Sequence, residues 1–226
     1  MPEINILESY PQPIEPRFVA KNLRTIGHRI TAAKRDKEFF DGDRNFGYGG
    51  YKYDGRWLPI AKKIIRHYKL KNSSHILHLN CEKGFLLHDL KKTKPSLQVV
   101  GTETSNYAIK NAVPEIKGSI IKISSVKLPF PDNSFDFVIG LSFIYTHSLP
   151  DAIEALQEIN RVCNGSSFVT LATYETDEEY FLFKDWTLLG TLLLKRDEWK
   201  TVMKHSGYKG DFYFISSKSL NLVRKN

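Results

Sequence analysis

Cysteine is nearly absent from this chain: Cys81 and Cys163 are the only two, and they form no CxxC pair. That excludes a disulfide-stapled scaffold, argues against a zinc site, and points to a reducing compartment. The seven histidines are scattered with no i, i+4 pair, so no metal site is expected either. No apolar run approaches the length needed to span a bilayer. The opening stretch MPEINILESYPQPIEPRF has no basic region followed by an apolar one, so it does not read as a leader. A cytoplasmic protein with no membrane partner is the expectation. Long blocks of like charge are missing too. The formal net charge of +8 arises from 33 Lys+Arg against 25 Asp+Glu spread along the sequence, with only short clusters such as Lys91-Lys92-Thr93-Lys94. A solvated lysine-rich surface accounts for most of that excess; an anionic small molecule comes next, and nucleic acid a distant third. No internal repeat is present.

What is there suffices for one sizeable core: 226 residues, 41% hydrophobic and 12% aromatic. The sequence divides into residues 1–57, an N-terminal arm, helix and aromatic-glycine loop, and residues 58–226, an α/β domain. Four prolines (Pro2, Pro11, Pro13, Pro16) mark an extended arm of a kind that often serves dimer contacts. The spacing of Val19, Leu23, Ile26, Ile30 and Ala33 predicts a helix from Val19 to about Phe40. After it comes a stretch dense in glycine, aromatics and paired charges, from Phe39 to Trp57. Its glycines supply backbone freedom and its Tyr48, Tyr51, Tyr53 and Trp57 supply recognition. It reads as a loop closing over a ligand, or as a packed surface loop.

From Pro59 onward helix and strand alternate. Ile60, Ala61, Ile64, Ile65 and Tyr68 form the inner stripe of a helix ending near Leu70. Strands are expected at 75–79, 97–101, 120–123, 135–141 and 167–173, and helices at 85–90, 106–113 and 149–163, the last stopped by Asn164-Gly165. Beyond them, 175–185 and 197–206 read as helices, 188–194 as strand or loop, and 211–217 as a final strand. Such alternation means a mostly parallel sheet with helices on both faces, and ligands bind outside the carboxyl ends of its strands.

The stretch His75 to Glu103, HILHLNCEKGFLLHDLKKTKPSLQVVGTE, is half of a nucleotide-binding βαβ unit: strand, tight loop, helix, and a second strand ending in an acid. Its loop, Ile76-Leu77-His78-Leu79-Asn80-Cys81-Glu82-Lys83-Gly84, resembles motif I of the class I S-adenosylmethionine (SAM) dependent methyltransferases, (hydrophobic)-(hydrophobic)-Asp/Glu-x-Gly-x-Gly-x-Gly. It keeps only the last glycine; His78 stands where the family has an acid, and Asn80 and Glu82 where it has glycines. Farther on, Leu128 to Ile139, LPFPDNSFDFVI, carries a phrase of the same family, type 11, almost intact.

The resemblance covers about Ile60 to Thr173 and implies a Rossmann-like methyltransferase fold with SAM as cofactor. It implies that Glu103 takes the ribose hydroxyls and that Thr104, Ser124 and Ser125 flank the adenine. His78, Asn80, Glu82, Gly84, Gly140 and Leu141 would line the rest of the cofactor, and Arg56 would pair with a carboxylate of cofactor or substrate. His147 and Tyr145, just past the fourth strand, are candidates for removing a proton from the acceptor, histidine having the better-placed pKa. Together with the lid, the core resembles bacterial enzymes associated with surface polysaccharide and secondary-metabolite synthesis. Two readings follow. One is O- or N-methylation of a small, anionic metabolite or nucleotide-activated sugar precursor. The other is a catalytically impaired relative that binds or regulates an active paralogue. A homodimer or heterodimer is compatible with either, and no nucleic-acid partner is expected.

Overall fold

The computed structural model describes residues 2–11 and 14–225. The first elements are β1 (Arg17–Val19), α1 (Ile26–Ala33), α2 (Lys37–Asp41) and α3 (Leu58–His67). There follow β2 (His75–Leu79), α4 (Phe85–Thr93), β3 (Gln98–Glu103), α5 (Asn106–Lys110), α6 (Pro114–Lys117) and β4 (Ile120–Lys122). β5 (Phe135–Gly140), α7 (Leu149–Val162), β6 (Cys163–Ala172), α8 (Asp177–Trp186), α9 (Arg196–Ser206), β7 (Asp211–Ile215) and β8 (Leu222–Arg224) complete the chain. The six-stranded sheet has the order β4-β3-β2-β5-β6-β7, with every neighbouring pair parallel. That is a doubly wound α/β sheet.

Alternate residues of one strand feed opposite faces, as the pleat dictates. Ile76, Phe137 and Ile139 pack under α3 and α4 with Ile60, Ile64 and Leu86, whereas Leu77 and Val138 join α7 and α9 through Leu156, Ile159 and Trp199. Both faces of the sheet are therefore covered. This is why its strands read as near-continuous apolar runs.

Three expectations are corrected. The predicted helix from Val19 to Phe40 is instead a strand and two short helices: Val19 lies buried in β1, paired through Phe18↔Val223 with β8, and Ile26 and Ile30 of the predicted inner stripe face solvent. Tertiary pairing with a strand about two hundred residues away overrode local periodicity. The predicted glycine stop after α7 is not a stop, because the chain passes straight into β6. Gly165 sits at a register shift against β5, where a side chain would collide with the Asp136 carbonyl. The predicted helix 106–113 ends at Lys110, and Pro114 opens a separate turn. The N-terminal arm packs on its own chain: Ile4 donates its N–H to the Phe212 carbonyl at 2.8 Å, and Ile6 is fully buried. No helix of the described residues is long and apolar enough to cross a membrane.

Candidate cofactor and acceptor site

The strand order reverses between β2 and β5, and a crevice opens there at the carboxyl ends of the strands. The loop leaving β2 enters it. Asn80 (φ 54°), Glu82 (φ 55°) and Gly84 (φ 76°) are all left-handed, alternating with ordinary residues. These are the three places where the motif has glycine. The loop keeps a glycine conformation with two side chains in it, at a cost of about 1–2 kcal/mol for each non-glycine residue. One tertiary and one local hydrogen bond hold it: the Cys81 N–H reaches the Thr102 carbonyl at 2.9 Å and the Gly84 N–H the Cys81 carbonyl at 2.9 Å. Gly84 has no alternative, since a side chain there would collide with Ile116.

Glu103 ends β3 directly behind this loop and is fully buried. Its carboxylate accepts the backbone N–H groups of Glu82, Thr104 and Ser105, each at 2.8 Å. Arg35, reaching from the end of α1, places one guanidinium nitrogen 3.2 Å from both carboxylate oxygens. The Ser105 hydroxyl, which caps α5, also donates to the Arg35 carbonyl and fixes the arginine's backbone.

Two cavities share Asn80. The smaller, about 300 Å³, is lined by Thr102, Glu103, Thr104, Ser124, Ser125 and His147, among others. The larger, about 870 Å³, takes in His78, Glu82, Leu141, Ser142 and Tyr145 from the sheet side and Tyr48, Tyr51, Arg56 and Trp57 from the 42–57 segment. Glu103, Thr104, Ser124 and Ser125, expected at the adenosine, thus gather in the smaller chamber together with His147, while His78, Glu82, Leu141, Tyr145, Tyr48, Tyr51, Arg56 and Trp57 line the larger.

Three predicted site residues line neither cavity. Tyr53 turns outward, donating its hydroxyl to Asp89 at 2.6 Å, and that bond pushes its pKa up to about 12. Gly84 is the N-cap of α4, and Gly140 is framework within β5. Arg56 does line the larger cavity, but Asp54 already holds it in a forked ion pair. His147 and Tyr145, two residues apart in sequence, face different chambers. Burial raises the Tyr145 phenol well above its ordinary range, and its hydroxyl is donated to Ser142 at 2.8 Å.

Burial lowers His78 to about 3, so its imidazole is neutral. Glu82 is raised to about 7, chiefly by burial, with Arg35 pulling it down and Glu103 pushing it up. A carboxyl poised near neutrality in the larger chamber was not anticipated from a position read as a displaced glycine. The cavity arginines Arg17, Arg24, Arg35 and Arg44 were also missed. No local sequence pattern brings these four together.

Among the described residues, seven buried side-chain polar atoms lack a protein partner, and five belong to residues lining these cavities: Arg24 Nε, Arg35 Nε, His78 Nδ1, Thr102 Oγ1 and His147 Nε2. Buried polar atoms left unpaired are costly, so their concentration here marks a surface built for a polar ligand. The left-handed loop, the two adjoining cavities and the unpaired polar atoms fit a cofactor of the size of SAM, and Arg35 occupies the Glu103 carboxylate to which the resemblance gives the ribose hydroxyls. No group of His, Cys, Asp and Glu suited to a metal ion occurs among the described residues.

Comparison with known proteins agrees with this geometry. A family model described as a methyltransferase domain matches residues 77–170. A demethylmenaquinone methyltransferase of Symbiobacterium thermophilum is 27% identical over 177 residues, covering 74% of this chain and 69% of the relative. Its namesake in Geobacillus stearothermophilus is 28% identical over 159 residues, covering 63% of this chain and 67% of that one. An uncharacterized methyltransferase of Schizosaccharomyces pombe is 29% identical over 112 residues, 44% of this chain but only 40% of the relative's length. Among solved structures, the YcgJ protein of Bacillus subtilis superposes with a TM-score of 0.53 at 19% identity, covering 65% of this chain and 66% of that one. A chain from the Haloferax volcanii complex of the Trm112 methyltransferase activator with a methyltransferase gives 0.54 at 20% identity, with 65% and 66% covered. These structural likenesses establish the fold. In the matched segment 77–170 and in the architecture of its sheet and crevice, the chain is similar to the class I SAM-dependent methyltransferases.

Proposed function

We propose that the protein transfers a methyl group from SAM to a small, anionic acceptor seated in the larger chamber. The observation that carries this reading is the left-handed triplet Asn80, Glu82 and Gly84. A loop that merely connected β2 to α4 would have no reason to keep two strained side chains in a glycine conformation at the mouth of the crevice. When bound, the cofactor supplies an electrophilic methyl on a sulfonium; the protein's work is positioning. Glu103, Thr104, Ser124 and Ser125 would hold the adenosine half, with Arg35 displaced from Glu103. Asn80, Leu141 and the neutral imidazole of His78 would hold the methionine half. Tyr48, Tyr51 and Trp57 supply faces against which an acceptor can stack and which can shield a cation.

For the proton leaving an oxygen or nitrogen nucleophile, Glu82 is better placed than either Tyr145 or His147. Tyr145 is a buried phenol whose hydroxyl is already donated, and His147 opens on the smaller chamber. Glu82 lines the chamber assigned to the acceptor and titrates near pH 7, where a general base is most effective.

The test is calorimetric titration with SAM and S-adenosylhomocysteine, on the protein and on Glu103→Ala. Micromolar binding that the variant loses is expected. The contact between Arg35 and Glu103 favours a second reading, a non-catalytic relative with its ribose site closed. Absence of binding by either ligand would select it.

A further inference from the structure

Six cationic side chains line the larger chamber, and they fall into two sets. Arg35 is paired with Glu103, Arg56 with Asp54 and Lys83 with Asp41. Arg17, Arg24 and Arg44 form no ion pair among the described residues, although each lines the same cavity. The Arg17 guanidinium lies 5.9 Å from the Trp186 ring centre and donates to the Leu220 carbonyl at 2.9 Å. Arg24 donates to the Arg44 carbonyl at 2.7 Å, which ties the two residues together, and its Nε has no partner. Arg44 lies against Gly49, where any side chain would displace its guanidinium. Gly49 (φ 74°) is thus glycine for two reasons, its backbone angle and the arginine it seats.

Resting on the methyl-transfer reading, we infer that Arg17, Arg24 and Arg44 form an anion subsite that grips a phosphate group of the acceptor. Three guanidiniums lining one cavity, each a rigid fork of donors, match a doubly charged, many-oxygened group better than a single carboxylate, which one fork satisfies. The cluster also resists its own charge. Arg17 and Arg24 are lowered from the ordinary arginine range, first by burial and then in part by the charge of Arg44, with Asp43 supplying partial compensation to Arg24. An anion bound among them would relieve both penalties. Around it Tyr48 and Trp186, with ring centres 5.1 Å apart, provide an aromatic wall for the rest of the acceptor.

The probe is pyrophosphate, titrated calorimetrically into the full chain, with S-adenosylhomocysteine titrated in parallel. One saturable site is expected. It should weaken at least tenfold in Arg44→Gln and in Arg17→Gln and be unchanged in Lys62→Gln, a solvent-facing control, while S-adenosylhomocysteine affinity stays the same in all three. No pyrophosphate binding, equal weakening in the control, or malonate binding as tightly as pyrophosphate would overturn the subsite. So would loss of S-adenosylhomocysteine binding in Arg44→Gln, which would assign the arginines to the cofactor's carboxylate. If S-adenosylhomocysteine fails to bind the unaltered protein while pyrophosphate behaves as expected, it is the methyl-transfer reading that falls and the anion site that stands.

Discussion

Arg35 and Glu103, 68 residues apart, meet over the loop that carries Asn80 and Glu82, with the arginine 3.2 Å from both carboxylate oxygens. Counting the three backbone N–H groups on the same carboxylate, its acceptor positions are filled. A ribose can reach Glu103 only by displacing Arg35. Arg35→Ala should therefore raise S-adenosylhomocysteine affinity about tenfold. It should also lower the stability of the ligand-free protein by about 1–3 kcal/mol, the cost of removing one partner from a buried charged group. Calorimetry and thermal unfolding read the two effects separately. A fall in affinity would mean that Arg35 holds the cofactor.

The left-handed loop makes a rank-order prediction. At position 80, glycine and asparagine tolerate φ 54° and alanine does not. Asn80→Ala should cost about 1 kcal/mol more than Asn80→Gly, measured as the shift in urea midpoint. Equal midpoints would show that the loop relaxes out of the left-handed region.

Glu82 makes stability depend on pH. Its folded carboxyl titrates near 7 against an ordinary 4.5, so between those values the folded state holds the proton that the unfolded chain has released. Stability then falls as pH rises through this window, and the penalty is complete above about pH 7. Glu82→Gln removes the charge. It should be more stable than the unaltered protein by about 1–3 kcal/mol at pH 8 and equal to it at pH 4. A difference that does not change with pH would place the carboxyl in water.

Lys83 is buried, and its ammonium donates to both Asp41 oxygens, at 2.7 and 2.8 Å, and to the Tyr51 carbonyl at 3.1 Å. It ties α2 and the aromatic loop to the cofactor loop. Burial raises the Asp41 carboxyl, but hydrogen bonds from Lys83 and Tyr107 outweigh that and hold it below its ordinary range. Lys83→Met should cost about 2–4 kcal/mol and open the 42–57 segment to limited proteolysis. A variant that unfolds globally with no new cleavage in that segment would contradict the tie.

The sheet was legible because its strands are buried on both faces and carry short apolar runs between turn residues; β2 matches the expected His75–Leu79 to the residue. The chamber assignments were partly legible for the same reason. Ser124, Ser125, Asn80 and Leu141 follow strand ends, and strand ends define the crevice. The stretch before α3 was not. β1 is three residues long and owes its existence to β8, a partner that no local window contains. The same holds for Arg35, which owes its role to Glu103. Glu82 was misjudged differently: its position was read correctly as a glycine site, but the burial that moves its titration is visible only in three dimensions.

The pairing of β1 with β8 has a consequence for how the chamber is made. Arg17 lies in β1, and the carbonyl that orients it belongs to Leu220, just before β8. The position of Arg17 in the larger chamber therefore depends on a strand about two hundred residues farther along the sequence, whereas the β2 loop and Glu103 come from one continuous stretch. Loosening β8 should therefore disturb the proposed anion subsite while leaving the loop after β2 in place.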